Sequence, residues 1–268
     1  MRGLVRPGRS ADDGIAWDPE GGRIDVTALE GVDAIVHLAG ENVGDGRWTA
    51  SKKQRIRDSR VKGTALLADA IGQLTRKPAV WVSGSAVGYY GDRGNAQVDE
   101  TAPRGSDFLA EVTGAWEAAA DGVQGVRVVH PRLGLVLAPH GGALAKMLLP
   151  FKLGVGGKLG SGTQGMSWIA LDDTVRALAH LMDTPSLVGP VNVCAPEPVS
   201  NATFTRALGQ ALHRPTALTV PAPIARLALG EMAQVALLSG VCALPTKLLA
   251  SGFQFAHPEL GTYLAQTL

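Results

Sequence analysis

A nearly unbroken apolar run, Val32–Ala39 (VDAIVHLA), ends at Gly40 and restricts the folds open to this chain. Apolar runs of this length, without alternation, are typical of strands buried on both faces of a parallel sheet. An amphipathic helix follows over Ser51–Leu74, in which apolar residues recur every three to five positions opposite a basic face. Ser51 is its predicted N-cap.

The same order of elements is repeated further along the chain. Buried strands are predicted at Ala79–Ser83 and Val126–His130, on either side of a helix over about Asp107–Ala120. Strand–helix–strand units of this kind predict right-handed crossovers and therefore an α/β fold with a doubly wound parallel sheet.

The regular alternation stops after Pro139, where the glycine-rich segments Gly141–Gly142 and Gly154–Gly165 occur. From Pro215 the chain is rich in Ala and Leu and predicts helices. We therefore predict one sheet-containing domain over residues 1–150. Residues 151–268 are predicted to form a smaller, mostly helical part, with a substrate-side region and a C-terminal helical annex.

Composition narrows the classes of partner. The 268 residues carry a formal net charge of +1, so the sequence predicts no field that would attract nucleic acid or an anionic membrane. Only Cys194 and Cys242 are present, and neither lies near a second cysteine or a histidine at metal-ligand spacing. We expect no disulfide framework, no metal site and no membrane span, and a cytoplasmic location fits best.

Candidate site residues lie just after the predicted strands, because an open parallel sheet binds its ligand outside the carboxyl ends of its strands. Three segments occupy such positions: His37–Asn42 (HLAGEN), Ser83–Asp92 (SGSAVGYYGD) and Pro131–Leu137 (PRLGLVL). In the first, Ala39 and Gly40 leave the backbone bare for a nucleotide, although an ordinary strand-to-loop turn would look the same. For His37 in this segment, the apolar neighbours favour a core histidine over a ligand contact.

The second segment contains the candidate catalytic residues Ser85 and Tyr89, whose hydroxyls could polarise a carbonyl group. Serines that merely cap the strand end are the structural alternative.

Taken together, these segments resemble a known family. The similarity is carried by HLAGENV, RW, SRVKGT, SGSAVGYYGD, DE at Asp99–Glu100, DFLAEVTGAWE, MLLPFKLGVGGKLGSGTQGMSWIALDD, NVCAPEPVSNATF, LGEMA and GFQFAHPELGTYL, in that order. The chain resembles the atypical extended short-chain dehydrogenase/reductases, an NAD-dependent epimerase/dehydratase-like "epimerase family" without a settled reaction. The resemblance covers essentially all of the chain.

The resemblance implies a Rossmann-like domain that binds NADP, and it implies which residues contact the cofactor. Arg6 matches the position that meets the adenosine 2′-phosphate, for which the planar guanidinium is suited. The other implied cofactor-binding residues are Leu38, Ala39, Arg55, Arg60 and Val136. On composition alone, Arg6 reads as a surface residue, and Arg55 and Arg60 as part of a solvated basic face.

Two departures from the superfamily pattern affect this interpretation. The usual catalytic Tyr and Lys are replaced by Leu109 and Thr113, and neither can transfer the proton. The glycine-rich phosphate turn is also absent before Arg6, and Gly160–Gly165 (GSGTQG) has no strand–turn–helix context that could replace it. We therefore expect a Rossmann-like sheet that lacks its first β–α unit, about 30 residues encoded upstream, and poor folding or weak cofactor binding of this chain alone.

The leading hypothesis is an NADP(H)-dependent oxidoreductase or epimerase-like enzyme with a small carbonyl or hydroxyl compound as substrate. The alternative is a catalytically silent NADP-binding protein that senses the cofactor or binds a partner. A degraded gene product without function is a third reading, favoured only if no in-frame segment exists upstream.

Overall fold

The computed structural model describes residues 1–8 and 14–268. The strands are β1 (Leu4–Val5), β2 (Ile15–Asp18), β3 (Arg23–Ile24), β4 (Ala34–His37), β5 (Val80–Ser83), β6 (Ser85–Ala86), β7 (Gln97–Val98), β8 (Arg127–Leu133), β9 (Leu135–Leu137), β10 (Gly157–Leu159), β11 (Gly165–Met166), β12 (Trp168–Ala170), β13 (Gly189–Val193), β14 (Val199–Ser200), β15 (Leu218–Val220) and β16 (Cys242–Ala243). The α-helices are α1 (Ala50–Gln73), α2 (Phe108–Ala118), α3 (Gly142–Lys152), α4 (Leu171–Asp183), α5 (Asn201–Ala211), α6 (Ala222–Leu229), α7 (Thr246–Ala250) and α8 (Leu260–Thr267).

The main sheet runs in the order β13–β8–β5–β4, and all of these pairs are parallel. Strand β6 extends the pairing along β8. Helices cover both faces of this sheet. Alternate residues of β5 point to opposite faces, so their contacts show which helices lie on each face. Trp81 packs with α1 in one core cluster, whereas Val80 and Val82 pack with α4 in another. The predicted Rossmann-like α/β architecture is confirmed.

The parallel pair β1–β2 and the hairpin partner β3 form a separate three-stranded sheet. Within the described residues, β4 is hydrogen-bonded to β5 alone. The prediction that this strand is buried on both faces was wrong, because Ile35 and His37 are buried whereas Val36 on the opposite face is 43% exposed. Strand β13 belongs to the second predicted region yet adds a member to the main sheet, so this sheet takes strands from both sides of residue 150. The predicted boundary at that residue stays a prediction.

Helix α1 begins one residue earlier than predicted, and Thr49 rather than Ser51 is its N-cap. The Thr49 hydroxyl accepts a hydrogen bond from the Lys52 backbone N–H at 3.2 Å. The prediction of Ser51 was wrong. Thr49 and Ser51 both carry a hydroxyl that could cap a helix, but Thr49 has the extended backbone angles of an N-cap, whereas Ser51 already lies inside the helix.

The C-terminal part carries helices α4 to α8, as predicted, and the apolar core around Trp168, Phe204 and Leu264 also includes Leu137 and Leu144 from the first predicted region. Short strands connect it to the rest of the chain, since β16 pairs with β7 and β12 pairs with β9, while β15 pairs with β10 inside the C-terminal part. The segment Gly160–Gly165 joins β10 to β11 without leading into a helix, which is not the context of a dinucleotide loop. Over the described ranges, no helix has both the length and the apolar character of a bilayer-crossing segment.

Candidate functional site

The loop after β4 contains the predicted cofactor-facing residues and is partly exposed. Leu38 is 42% exposed, Ala39 is half-buried and Gly40 is exposed. The Gly84 N–H donates to the His37 carbonyl oxygen at 2.8 Å and fixes the start of the loop. A Cβ at Gly40 would lie 2.8 Å from the guanidinium carbon of Arg60, so a side chain here would displace that group.

Arg60 lies beside this loop and holds it. Its Nη1 donates to the backbone oxygens of Glu41 at 3.0 Å and Ile56 at 3.1 Å. The guanidinium also lies 5.1 Å from the Trp116 ring centroid, in cation–π geometry. Burial lowers the pKa of the Arg60 guanidinium, and Glu41 opposes this effect. Arg60 therefore supports the loop whether or not it also contacts a cofactor.

Arg55 is the more exposed of the two predicted helix α1 residues. Its side chain is 59% exposed, and its Nε lies 3.7 Å from Glu41 Oε1. The buried Lys52 ammonium donates to the same oxygen at 2.7 Å. The hydrogen bond from Lys52 is the main reason that the pKa of Glu41 lies below its usual range. Since Lys52 neutralises Glu41, the Arg55 guanidinium remains available for another anion.

Arg6 lies at the end of β1, exposed, with its guanidinium carbon 5.5 Å from the Trp17 ring centroid. Among the described residues, no carboxylate lies within ion-pairing distance of it. Arg6 lines a cavity of about 330 Å³ together with Gly40, Arg55 and Lys62, and the carboxylates of Glu20, Glu41 and Asp58 also line it. Glu41 is paired with Lys52 and Asp58 with Lys62. The structure therefore brings together Arg6, Arg55 and the loop after β4, which were predicted from separate parts of the sequence.

His37 at the end of β4 is buried and neutral at physiological pH. It is 3% exposed and packs edge-on against Trp17, with 5.5 Å between ring centroids. Burial, and secondarily the charge of Arg6, lowers the pKa of His37 to about 4. Its Nε2 has no hydrogen-bond partner within residues 1–8 and 14–268. The interpretation as a core histidine is the one that this environment supports.

Ser85 is buried in a polar network beneath the strand ends. Its hydroxyl donates to Glu117 Oε1 at 2.5 Å. Arg132 donates to both carboxylate oxygens of Glu117, through Nε at 2.8 Å and Nη2 at 2.9 Å. All three side chains are at most 9% exposed. The Ser85 hydroxyl is thus already committed to a buried carboxylate.

The network continues from Arg132 to the centre of the sheet. Arg132 Nη1 donates to the Tyr90 hydroxyl at 3.1 Å, which in turn donates to Asn192 Oδ1 at 2.7 Å. Burial raises the pKa of Tyr90 to about 12, so this hydroxyl stays protonated. Every member is therefore hydrogen-bonded, as a buried polar network requires.

Tyr89 differs from Ser85 in that its hydroxyl is available. The residue is half-buried, and its ring lies 3.5 Å from the guanidinium carbon of Arg132. Within the described part of the chain, its hydroxyl makes no hydrogen bond. The catalytic roles predicted for Ser85 and Tyr89 stay predictions. The two residues differ in that the Ser85 hydroxyl is buried and hydrogen-bonded to Glu117, whereas Tyr89 is half-buried.

The residues that replace the usual acid–base pair lie against Gly88. A Cβ at Gly88 would lie 3.5 Å from the Leu109 Cβ and 4.0 Å from the Thr113 hydroxyl. That hydroxyl donates to the Leu109 carbonyl oxygen at 2.7 Å. The turn that contains Tyr89 therefore faces an apolar side chain and a hydroxyl that is already bonded.

Val136 is the predicted cofactor contact that lies apart from the others. It is half-buried in the middle of β9, where it pairs with Ile169 of β12 and packs against the core on the α4 face. It lines neither the cavity beside Arg6 nor a second cavity at the carboxyl ends of β5 and β8. Its predicted cofactor contact stays a prediction.

A second cavity, of about 310 Å³, lies at the carboxyl ends of β5 and β8. Its walls include Val87 and Gly88 after β5, Leu133–Leu135 after β8, and Met147 of α3. Neither Ser85 nor Tyr89 lines it, although Gly88 directly precedes Tyr89. Its position is the one expected for a substrate in an open parallel sheet.

The two cysteines lie in buried surroundings. Both are free thiols, and the Cys194 Sγ lies 3.2 Å from the Ala243 carbonyl oxygen. Burial raises the pKa of each thiol. Over residues 1–8 and 14–268, no three His, Cys, Asp or Glu side chains converge as a metal-binding group.

Sequence reasoning missed Glu117, Arg132 and Asn192. A signal existed, because Arg132 stands in the apolar strand segment VVHPRLGLVL and Glu117 follows Trp116 on the buried face of α2. A charge at a position whose neighbours are buried indicates a charged partner elsewhere.

Two family models match the chain. Residues 20–194 match the NAD dependent epimerase/dehydratase family, and residues 220–267 match a domain of unknown function, DUF1731.

Named relatives cover nearly the whole chain. An epimerase family protein of Mycobacterium bovis, Mb2239, is 44% identical over 263 residues, which are 97% of this chain and 87% of that protein. The human epimerase family protein SDR39U1 is 37% identical over 264 residues, with 97% and 87% covered.

Two solved structures are similar in sequence as well as in fold. The crystal structure of human SDR39U1 (isoform 2) with NADPH has a TM-score of 0.90 at 35% identity, covering 98% of this chain and 90% of that one. A nucleoside-diphosphate sugar epimerase from Corynebacterium glutamicum has a TM-score of 0.78 at 33% identity, covering 97% of this chain and 51% of that one.

Proposed function

The chain belongs to the NAD dependent epimerase/dehydratase family, and from that membership we propose that it is an NADP(H)-dependent oxidoreductase or epimerase-like enzyme. Its substrate is a small carbonyl or hydroxyl compound. The observation that carries the proposal is the similarity to the human protein that was crystallised with NADPH, at a TM-score of 0.90 and 35% identity.

The residues around the loop after β4 fit the phosphate-bearing end of NADP. Arg6 and Arg55 line one cavity with Gly40, and Arg6 has no carboxylate partner within the described ranges. A guanidinium binds a phosphate dianion through paired hydrogen bonds, whereas NAD offers only a ribose hydroxyl at that position. Leu38 is exposed and Ala39 is half-buried, and the small side chain of Ala39 leaves room for close approach of the nucleotide.

When bound as NADPH, the cofactor supplies a hydride to a carbonyl carbon, the carbonyl oxygen takes up a proton, and the products are an alcohol and NADP⁺. The residue proposed to provide that proton is Tyr89, because its hydroxyl is not used elsewhere in the described structure and because it directly follows Gly88, which lines the cavity at the carboxyl ends of β5 and β8. Ser85 contributes by holding Glu117, and through it Arg132, against the Tyr89 ring. Arg132 thus fixes the orientation of the phenol.

A catalytically silent NADP-binding protein is the second candidate, and one observation favours it. The positions of the usual acid–base pair are occupied by Leu109 and by Thr113, whose hydroxyl is bonded to the helix backbone. Such a protein would bind NADPH with the same preference and would transfer no hydride.

A screen for NADPH oxidation separates the two candidates. The chain is mixed with NADPH and a panel of small aldehydes and ketones, and loss of the nicotinamide absorbance is followed. Turnover that falls by about tenfold or more in Tyr89→Phe supports the enzyme and its proton donor, since that variant keeps the ring on Arg132. Bound NADPH without turnover across the panel would favour the silent protein, and unchanged turnover in Tyr89→Phe would remove Tyr89 from the chemistry.

A small-molecule substrate is proposed as the binding partner, with no role for nucleic acid, because the net charge is only +1. The free, buried Cys194 and Cys242 accord with a reducing compartment, and we propose the cytoplasm. Recovery of the tagged protein in a membrane or exported fraction would contradict this location.

A further inference from the structure

The cavity at the carboxyl ends of β5 and β8, called here the strand-end cavity, carries information on the chemistry of its occupant. Its volume of about 310 Å³ lies at the lower end of the range for small-molecule sites. It is bounded by the segments Val87–Gly88, Leu133–Leu135, Gly165–Ser167 and Val235–Leu237, with Met147 of α3 as a further wall.

The charge of the lining residues indicates whether the strand-end cavity can bind an anionic ligand. Among the described residues that line the strand-end cavity, none is Arg, Lys or His. The single acidic residue, Asp107, is engaged as the N-cap of α2, where it accepts a hydrogen bond from the Ala110 N–H at 2.9 Å. A diphosphate needs a guanidinium, an ammonium or a helix N-terminus as a partner, and no cationic side chain is offered here. Three helix N-termini reach the cavity; the Asp107 carboxylate caps that of α2 and the Ser200 hydroxyl caps that of α5, so α3 alone among them has no side-chain cap.

The polar side chains of the cavity are already hydrogen-bonded within the chain. The Ser167 hydroxyl donates to the Val241 carbonyl oxygen at 2.9 Å and accepts from the Ala243 N–H at 2.8 Å. The Ser239 hydroxyl donates to the Gln234 carbonyl oxygen at 2.8 Å.

Asn201 is committed in the same way, since its Oδ1 accepts from the Leu159 N–H at 2.8 Å. A ligand with many hydroxyl groups would lose its hydrogen bonds to water on entering this cavity and would find few free side-chain partners to replace them, so its binding would be unfavourable.

The rest of the wall is apolar and adaptable. Leu109, Leu133, Met147, Met166 and Leu237 are all half-buried and contribute to it. Methionine side chains adjust to ligands of different shape because they are unbranched and polarizable. The wall therefore favours an occupant that is stabilised by burial of apolar surface.

We propose that the substrate bound in the strand-end cavity is a small, uncharged and predominantly apolar carbonyl or hydroxyl compound, and not a nucleoside-diphosphate sugar. This inference rests on the proposed function, because it specifies the substrate class for the same reaction. It distinguishes the chain from the similar Corynebacterium protein, whose name gives nucleoside-diphosphate sugars as its substrates.

The test uses the full 268-residue chain, the neutral fluorescent probe N-phenyl-1-naphthylamine, and UDP-glucose as competitor. The probe is expected to saturate one site, from which UDP-glucose does not displace it and from which acetophenone does. Displacement by UDP-glucose, or failure of the probe to bind, would overturn the proposal. These outcomes need no variant and so do not depend on whether a substituted chain folds.

A matched pair of substitutions on α3 locates the probe. Ala143 lines the strand-end cavity, whereas Ala145 lies on the same helix and does not. Ala143→Phe fills the cavity and is expected to weaken probe binding by about tenfold or more, whereas Ala145→Phe leaves it nearly unchanged. Equal affinities in the two variants, with matching unfolding midpoints, would place the probe elsewhere and contradict the assignment.

A parallel NADPH titration keeps this result separate from the proposed function. Loss of NADPH binding would defeat the proposed function, while the probe result would still report on the cavity. Probe displacement by UDP-glucose in a chain that binds NADPH would defeat only the substrate class.

Discussion

Arg132 lies with its guanidinium carbon 3.5 Å from the centroid of the Tyr89 ring and donates to both carboxylate oxygens of Glu117 at 2.8 and 2.9 Å. The Arg132 side chain is 3% exposed and the Glu117 side chain 9%. This buried pair links α2 to β8 directly below the turn that carries Tyr89. It therefore combines structural support with the orientation of a candidate catalytic residue.

Removal of the Glu117 charge is expected to destabilise the chain. Glu117→Gln leaves the Arg132 charge buried without its counter-ion, and breaking such a pair costs about 3 kcal/mol or more of unfolding free energy. The measurement is urea-induced unfolding. Glu111→Gln, at an exposed position of the same helix, is the control and should change stability little. Equal effects of the two substitutions would show that the pair contributes nothing specific.

Ser85→Ala is expected to affect stability more than chemistry. The substitution removes the hydrogen bond to Glu117, which corresponds to about 1–3 kcal/mol for a charged, buried acceptor. Hydride transfer should fall by less than in Tyr89→Phe, because the Ser85 hydroxyl is already donated to Glu117, whereas the Tyr89 hydroxyl makes no hydrogen bond within the described residues. A loss of turnover of about tenfold or more, with unchanged unfolding free energy, would instead make Ser85 catalytic.

His37 makes stability depend on pH in a defined window. Its pKa is lowered to about 4 in the folded chain, so the unfolded chain takes up the proton first as the pH falls from about 6.5. Stability is therefore full above about pH 6.5 and decreases between there and about pH 4, by up to about 3 kcal/mol.

The matched variants for this effect are His37→Gln and His140→Gln, since His140 is exposed. Unfolding free energies measured across the window should show a shallower pH dependence in His37→Gln only. The same slope in both variants and in the unsubstituted chain would exclude His37 as its source.

Arg6→Ala is expected to weaken NADPH binding and to leave NADH binding nearly unchanged. Hydrogen bonds to a charged group contribute about 1.5–3 kcal/mol, which corresponds to about tenfold or more in affinity. Arg57→Ala, at an exposed position of α1, is the control for a general loss of positive charge. Equal losses for both nucleotides would refute the assignment of Arg6 to the 2′-phosphate.

Local sequence patterns predicted much of the fold. The apolar run at Val32–Ala39 contains β4, and the helix expected from Asp107 begins with Asp107 as its N-cap. Such elements are predictable because burial on a sheet and capping of a helix depend on residues close together in the chain. The N-cap of α1 was assigned to the wrong hydroxyl, since Thr49 and Ser51 differ only in backbone conformation, which the sequence does not show.

The candidate site was less predictable because its parts are distant in sequence. Ser85 meets Glu117 across 32 residues, and Tyr90 meets Asn192 across 102. No local pattern encodes these pairs, so the commitment of the Ser85 hydroxyl could not be foreseen. By contrast, Arg6 and the loop after β4 were placed together through the family resemblance.

The most direct test of the account is calorimetric titration of the 268-residue chain with NADPH and, separately, with NADH. The account predicts one NADPH site per chain and an affinity for NADPH about tenfold or more above that for NADH, because Arg6 has a phosphate partner only in the former. Equal affinities would contradict the preference for NADP, and absence of binding by both nucleotides would contradict the proposed function of this chain.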